Sequence, residues 1–319
     1  MLKKQEIWDN ITKNGDNIVI VTHPTPDGDA LGSAFALACA LEAAGKTPVV
    51  ILDKFSAKYN FLCKQRFLYD GDTAALNCDV LIAVDCGGKS RISCAADLFD
   101  RAKITVNIDH HINNDNFATY NYVDHTASSA CEVVFDIINM HVPIGKEIAE
   151  AIYTGIVTDT AAFRHSNTSP RTLEIAAELM RFGIDFGEIQ RKVFYTRTKA
   201  EAAIFAKALQ NIKFADNSPI VYSTLTPEEM QTAGATYADL DGIVNFLLDI
   251  EGTAAAALFT KRGGGQTKVN LRSLGPDVSI IAAQFGGGGH KFAAAAQFEA
   301  DFDEGIQRVV AALAAACEL

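Results

Sequence analysis

The chain has little of what would tie it to a membrane, a disulfide framework or a long nucleic acid. No apolar run reaches the roughly 18 residues of a membrane span. The opening stretch MLKKQEIWDN is charged and has no signal-peptide core, so a cytoplasmic setting is expected. The seven cysteines are odd in number, and none falls in a CxxC pair. That excludes a regular disulfide framework and a zinc ribbon. Most of them read as small buried hydrophobes, with Cys86 the one inside a motif. There is also no run of Lys or Arg and no basic helix, and the formal net charge is −11. A duplex lying along such a surface would be repelled. An anionic substrate must then be small and must reach a site where bound cations reverse the local sign.

The 319 residues, 49% of them hydrophobic and 21% charged, describe an ordinary globular chain large enough for two domains. The first part alternates short β-branched runs with helices. Strands are expected at Asn17–Thr22, Pro48–Leu52, Val80–Asp85, Ile104–Ile108 and Thr119–Val123. Helices are expected over 3–16, Gly32–Ala44, near Ile92–Arg101, Ser128–Met140, Gly145–Val157 and from Pro170 to Gly183. Continuous apolar strands of this kind make a parallel sheet covered on both faces, with ligands beyond the carboxyl ends. The segment 186–212 is charge-rich and helical, and reads as a connector. Beyond it, strands at Pro219–Leu225, Ala254–Thr260, Lys268–Arg272 and Ala296–Glu299 alternate with helices at Pro227–Ala233, Asp239–Asp249, Asp277–Phe285 and Glu304–Cys317. The expected fold is therefore α/β, with a parallel-sheet domain at 1–185, a connector at 186–212 and a smaller α/β domain at 213–319.

Ionisable residues gather where the strands end. NIDHHIN puts Asp109, His110 and His111 at the close of an apolar run. Upstream, HPTPDGD offers His23, Asp27 and Asp29, with Gly28 letting the turn bend, and VDCGG offers Asp85. Downstream, TDT holds Asp159. Each has a plain alternative: a polar surface turn, a turn-capping aspartate, a structural histidine pair, a helix-terminal residue. Together, His23, Asp27, Asp29, Asp85, His110 and Asp159 give four carboxylates and two imidazoles. That set suits two divalent ions about 4 Å apart, bridged by Asp85. Consecutive residues of an extended segment point to opposite sides. So His110 is assigned to metal, His111 to a substrate phosphate or a proton, and Asp109 to orienting a ligand imidazole. Further on, Gly286–His290 (GGGGH) could let backbone N–H groups approach a phosphate or a base, with Arg272 and His290 adding charge. A glycine turn for tight packing is the other reading. KRGGGQ at Lys261–Gln266 reads as a hairpin turn.

In order and spacing, HPTPDGDALGS, VDCGG, IDHH, YTGIVTDTAAFRHSNTSPRT, VNLRS and FGGGGHKFAAAA resemble the DHH phosphoesterase family. More narrowly they are similar to its members with a C-terminal DHH-associated domain, the nanoRNases and 3′-phosphoadenosine-5′-phosphate (pAp) phosphatases. The resemblance implies two Mn²⁺ ions, with Mg²⁺ the alternative. His23, Asp27 and Asp85 would hold one; Asp29, Asp85, His110 and Asp159 would hold the other. It implies a catalytic cleft between the domains, where Gly287, Gly288, Gly289, His290 and Arg272 grip the far end of a short nucleotide. Arg164 is a further candidate contact. The implied substrates are short RNAs, linear dinucleotides such as pApA, and pAp. Cys86 stands where the family more usually has Thr, Gly88 where it has Asp, and Ala161 and Ala295 where it has Gly. Ala295 could crowd the substrate end. Alternatives within the fold are a RecJ-like single-strand exonuclease and a soluble inorganic pyrophosphatase. From another class comes a non-catalytic nucleotide sensor, which loss of a ligand would favour. The Ala-rich C-terminal helix and the connector either serve a homodimer or are core helices.

Overall fold

A computed structural model describes residues 3–92 and 95–317. It divides into two compact units, Met1–Thr196 and Arg197–Leu319. In the first, the elements run α1 (Lys4–Lys13), β1 (Ile18–Val21), α2 (Gly28–Ala43), β2 (Val49–Ile51), β3 (Val80–Val84), α3 (Ala96–Arg101), β4 (Ile104–Asp109), β5 (Tyr120–Val123), α4 (Ala130–Ile138), α5 (Lys146–Asp159), α6 (Pro170–Met180) and α7 (Phe186–Gln190). The five strands form one parallel sheet in the order β2-β1-β3-β4-β5. The order reverses between β1 and β3, which is where a sheet of this type opens a crevice at its carboxyl edge.

The apolar runs are continuous because both sheet faces are covered. On β1, Ile18 and Ile20 join the core built with α1, α2, α4 and α5, while Val19 and Val21 join a second core with Leu98 and Phe99 of α3. Helix α2 is buried almost all round and packs tightly on α5. A Cβ at Gly32 would lie 2.4 Å from the Ala151 carbonyl oxygen, and one at Gly155 would lie 2.7 Å from Asp29 Oδ1. Only glycine fits at such distances, so the two helices are locked at short range.

Three expectations change here. Helix α2 starts at Gly28, four residues earlier than its Ala-rich stretch suggests, because Asp27 caps it: the Asp27 carboxylate accepts from the N–H groups of Asp29 and Ala30. Gly28 is required for close approach and not for a bend, since a Cβ there would meet Thr158 Oγ1 at 2.2 Å. The helix expected near Ile92–Arg101 is confined to α3; Ser93 and Cys94 lie outside the described residues.

The second unit runs α8 (Lys199–Gln210), β6 (Lys213–Phe214), β7 (Ile220–Leu225), α9 (Pro227–Ala233), α10 (Ile243–Leu248), β8 (Ala255–Lys261), β9 (Gln266–Ser273), α11 (Val278–Gln284), β10 (Gly288–His290), β11 (Ala293–Glu299) and α12 (Phe302–Cys317). Its six strands form a mixed sheet, β10-β11-β9-β8-β7-β6, in which only β7 and β8 are parallel. One face packs on α11 and α12, the other on α8, α9 and α10. The helix expected at Asp239–Asp249 is broken by Gly242, whose φ of 81° separates a 3-10 turn from α10. Among the described residues no helix is long and apolar enough to cross a membrane.

Candidate metal centre

The four N-terminal motifs meet beyond the carboxyl ends of β1, β3 and β4. Chain direction does most of this work: parallel strands deliver His23, Asp85 and His110 to the same edge of the sheet, and the start of α2 and the end of α5 supply Asp29 and Asp159.

His23 lies two residues beyond the end of β1 and is buried. Its Nδ1 lies 2.7 Å from the Pro24 carbonyl oxygen, which can only accept. Nδ1 therefore carries the hydrogen, and Nε2 presents a lone pair to Asp85 Oδ2 at 3.5 Å. Two acceptors facing one another ask for a cation between them. Asp85 itself has φ 54°, the strained left-handed region that is uncommon for a non-glycine residue. Its Oδ1 is buried without a hydrogen-bond partner, an uncompensated cost in a protein interior. That oxygen lies 3.7 Å from His110 Nε2 and 3.6 Å from His111 Nδ1. The two Asp85 oxygens thus face different histidines.

Asp29 is fully buried in the first turn of α2. Its Oδ2 accepts the Ala130 N–H at 2.6 Å and its Oδ1 the Cys131 N–H at 2.9 Å, both from the first turn of α4. Across from it, His110 Nε2 lies 3.8 Å from Asp29 Oδ2 and 3.5 Å from Asp159 Oδ2. Donor atoms of His23, Asp27 and Asp85 come within 4.8 Å of one another, as do those of Asp29, His110 and Asp159, and those of Asp85, Asp109, His110 and His111. Asp85 and His110 each belong to two of these groups, so the three form one continuous centre.

So many carboxylates cannot share a buried space as bare anions. Burial, reinforced by Asp29, Asp27 and Asp159, pushes the Asp85 carboxyl well up. Burial also raises Asp29. Asp159 is pushed up to about 8, by burial first and then by Asp29 and Asp27. The orphaned Asp85 oxygen, the outward lone pair of His23 and the mixed oxygen and imidazole donors all fit divalent cations.

Asp109 is paired with His111, not with His110. Its Oδ1 lies 2.8 Å from His111 Nδ1. Burial alone would raise this carboxyl; the His111 hydrogen bond and charge and the Asn114 amide bring it below the usual range. The same hydrogen bond raises the His111 imidazole. Asn114 is a residue that no motif flagged. Its amide donates to Asp109 Oδ2 at 2.6 Å, to Asn107 Oδ1 at 2.7 Å and to the Cys86 carbonyl at 3.2 Å. Cys86 is fully buried and serves the site through that carbonyl. A side chain at position 88 would meet Asp115 Oδ2 at 3.2 Å from its Cβ. After Asp159, Ala161, Ala162 and Phe163 all have positive φ, at 47°, 58° and 66°. Arg164 follows, its Nε donating to the Ala161 carbonyl at 3.2 Å.

In the second unit, the glycine stretch is no open loop. Gly288–His290 pair antiparallel with Ala293–Ala295 as β10, at the edge of the sheet. A Cβ at Gly287 would lie 2.1 Å from the Ala295 carbonyl oxygen, and one at Gly289 would lie 2.5 Å from the Ala293 carbonyl oxygen. Those two glycines permit contact with β11, whereas a Cβ at Gly288 would meet nothing within 4 Å. Ala293 pairs with both His290 and Arg272, so these two residues flank it. Arg272 is half-buried, with Nη1 donating to the Leu271 carbonyl at 2.9 Å. Ala295 pairs with Gly288 on one side and Asn270 on the other. KRGGGQ joins β8 to β9 as the expected hairpin turn.

Comparison with known proteins finds relatives along both units. The model for the DHH family N-terminal domain matches residues 17–156, and that for the DHHA1 domain matches residues 217–318. The bifunctional oligoribonuclease and PAP phosphatase NrnA of Thermus thermophilus is 33% identical over 300 residues, covering 93% of this chain and 89% of the relative. The protein of the same name from Bacillus subtilis is 27% identical over 311 residues, covering 95% of each. Among solved structures, an exopolyphosphatase-related protein from Bacteroides fragilis superposes with a TM-score of 0.88 at 28% identity, over 97% of this chain and 94% of that one. The chain belongs to the DHH family, in the branch that carries a DHHA1 domain.

Proposed function

We propose that this is a cytoplasmic, Mn²⁺-dependent phosphoesterase that hydrolyses short oligoribonucleotides and linear dinucleotides such as pApA to mononucleotides, and pAp to AMP. The observation that carries the reading is Asp85: a buried, strained carboxylate whose orphaned Oδ1 faces His110 and whose Oδ2 faces His23. In this reading His23, Asp27 and Asp85 hold one ion, and Asp29, Asp85, His110 and Asp159 hold the other. The names of the NrnA relatives support the substrate class. When bound, two divalent ions supply Lewis acidity at the phosphoryl oxygens and lower the pKa of water.

The chain's own residues do the rest. Asp109 holds the hydrogen on His111 Nδ1, so His111 turns Nε2 outward. With its pKa raised by that pairing, His111 carries a proton on Nε2 and donates it to a substrate phosphate or to the departing oxygen. In the second unit, Arg272, His290 and the backbone of Gly287, Gly288 and Gly289 are the nucleotide-binding groups of this reading, and in the first unit Arg164 contributes a further contact near Asp159. The acidic surface turns away long polyanions and leaves short substrates to the cation-bearing site.

The test is a parallel turnover assay with pApA, a five-nucleotide RNA, pAp and pyrophosphate, run in Mn²⁺ and in Mg²⁺, with Asp85→Ala as control. Turnover of pApA, the short RNA and pAp that disappears in the variant is the expected result. Turnover of pyrophosphate alone would mean that the second unit has been assigned the wrong role. Tight nucleotide binding without turnover would make the protein a sensor.

A further inference from the structure

Glu132 is buried, at 5% exposure, yet it stands apart from the groups around the histidines. It occupies the third position of α4, after the cap Ser129. One oxygen, Oε2, accepts three hydrogen bonds: from the Ser128 N–H at 3.2 Å, the Ser128 hydroxyl at 2.6 Å and the Thr172 hydroxyl at 2.9 Å. A buried carboxylate is costly, and a packed apolar side chain could fill the same space at lower cost. What the carboxylate adds is a fixed position for Ser128.

Ser128 is a junction. Immediately after it the chain enters α4, whose first two N–H groups, from Ala130 and Cys131, hold both oxygens of Asp29. On its other side, the Ser128 carbonyl accepts the Asn167 amide at 2.9 Å, and that same amide reaches the Asp159 carbonyl at 3.3 Å. One braced residue therefore leads by separate routes to two of the three members of the Asp29–His110–Asp159 group. The His23–Asp27–Asp85 group is set by β1, β3 and the α2 cap, and meets this junction only through Asp29, whose N–H the Asp27 carboxylate accepts, among the described residues.

We propose that Glu132 is a positioning residue for the Asp29–His110–Asp159 group. By holding Ser128 it fixes the first turn of α4, and so the direction in which Asp29 offers its remaining lone pairs. The proposal rests on the two-ion reading above. Groups that orient a ligand typically change metal affinity by about 10–100-fold when removed. Here the effect is confined to one ion of the two.

The experiment is Mn²⁺ binding to the full chain, by calorimetry and by the electron paramagnetic resonance signal of free Mn²⁺. Glu132→Ala and Glu132→Gln are compared with the unaltered protein, with Asp29→Asn and His23→Ala marking which ion belongs to which group. Thermal melting without metal is recorded alongside. The expected result is that Glu132→Ala weakens the ion lost in Asp29→Asn by about 10–100-fold and leaves the ion lost in His23→Ala unchanged. Glu132→Gln keeps an acceptor oxygen and restores affinity to within a few-fold. Should Glu132→Ala fail to fold, Ser128→Ala takes its place with the same expected selectivity. Equal weakening of both ions, or unchanged affinity for both, overturns the proposal. Fewer than two ions bound by the unaltered protein would instead overturn the two-ion reading, and this inference with it.

Discussion

Asp109 Oδ1 lies 2.8 Å from His111 Nδ1, and the Asn114 amide holds the other Asp109 oxygen at 2.6 Å. Asp109 is thereby committed on both sides before any substrate arrives, and its imidazole partner cannot turn without breaking a buried bond. The half-exposed His111 has one ring edge fixed and one edge presented.

Replacing Asp109 by Asn removes the anion behind His111 and leaves an amide that can also donate to Nδ1. We expect turnover to fall by about 10–100-fold with little change in the number of ions bound. The alkaline limb of the rate profile should move to lower pH, since His111 must be protonated to donate and its raised value depends on Asp109. Steady-state kinetics across pH, beside a metal titration, check this. Unaltered turnover in the variant would remove His111 from the reaction.

Asp85→Asn should separate function from stability. It takes away a buried carboxylate with an orphaned oxygen, so the metal-free protein should gain about 1–3 kcal/mol, the usual cost of an unsatisfied buried polar group. Activity should drop to background. Urea unfolding of both proteins in chelator gives the comparison. A less stable variant would mean that Asp85 is already satisfied without cations.

The cluster also sets a pH dependence. A carboxyl whose pKa is raised on folding holds its proton more tightly in the folded state. Its contribution to stability is complete below the unfolded value near 4 and is lost as pH rises through the folded value, about 8 for Asp159. Asp29 and Asp85 are raised in the same direction. Metal-free protein should therefore lose stability from about pH 4 to about pH 8 relative to an Asp159→Asn variant. The gain in Tm on adding Mn²⁺ should grow across the same interval, because ions displace protons. Melting curves with and without metal at several pH values decide it; a metal-induced shift that ignores pH would contradict the raised values.

Ala161 opens the run of three left-handed residues beyond Asp159. A left-handed φ costs a side-chain-bearing residue about 1–2 kcal/mol, and the added chain entropy of glycine costs about 0.5–1 kcal/mol in return. Ala161→Gly should thus stabilise by up to about 1 kcal/mol without changing turnover. Denaturant unfolding measures the first and the pApA assay the second.

The first unit was readable in sequence because its rules are local and repetitive. Ile18-Val-Ile-Val21 is apolar on both faces, which only a covered parallel strand satisfies, and each such strand delivers its next polar residue to the same edge. The start of α2 was missed because Gly28 and Asp29 look like turn residues until Asp27 is seen as a cap. Asn114, Asn167 and Glu132 were missed for a different reason. Their partners, such as Cys86 for Asn114 and Thr172 for Glu132, lie 28 and 40 residues away. The Ser129-x-x-Glu132 spacing hints at a helix cap, but the carboxylate bonds Ser128 instead, one residue earlier. The pairing of the glycine stretch before His290 is not legible, because strand pairing at a sheet edge leaves no mark on a run of identical small residues.

The residues gathered at the sheet edge are spread along the chain, from His23 to Asp159, and the last of them closes α5. During synthesis the chain emerges from its amino end, and domains generally fold as units in that order. The His110 cluster is incomplete until Asp159 has left the ribosome. Any nascent chain shorter than that lacks the third member of the Asp29–His110–Asp159 group. A chain that stops short of α5 lacks both Asp159 and the Gly155 backbone against which Gly32 of α2 packs.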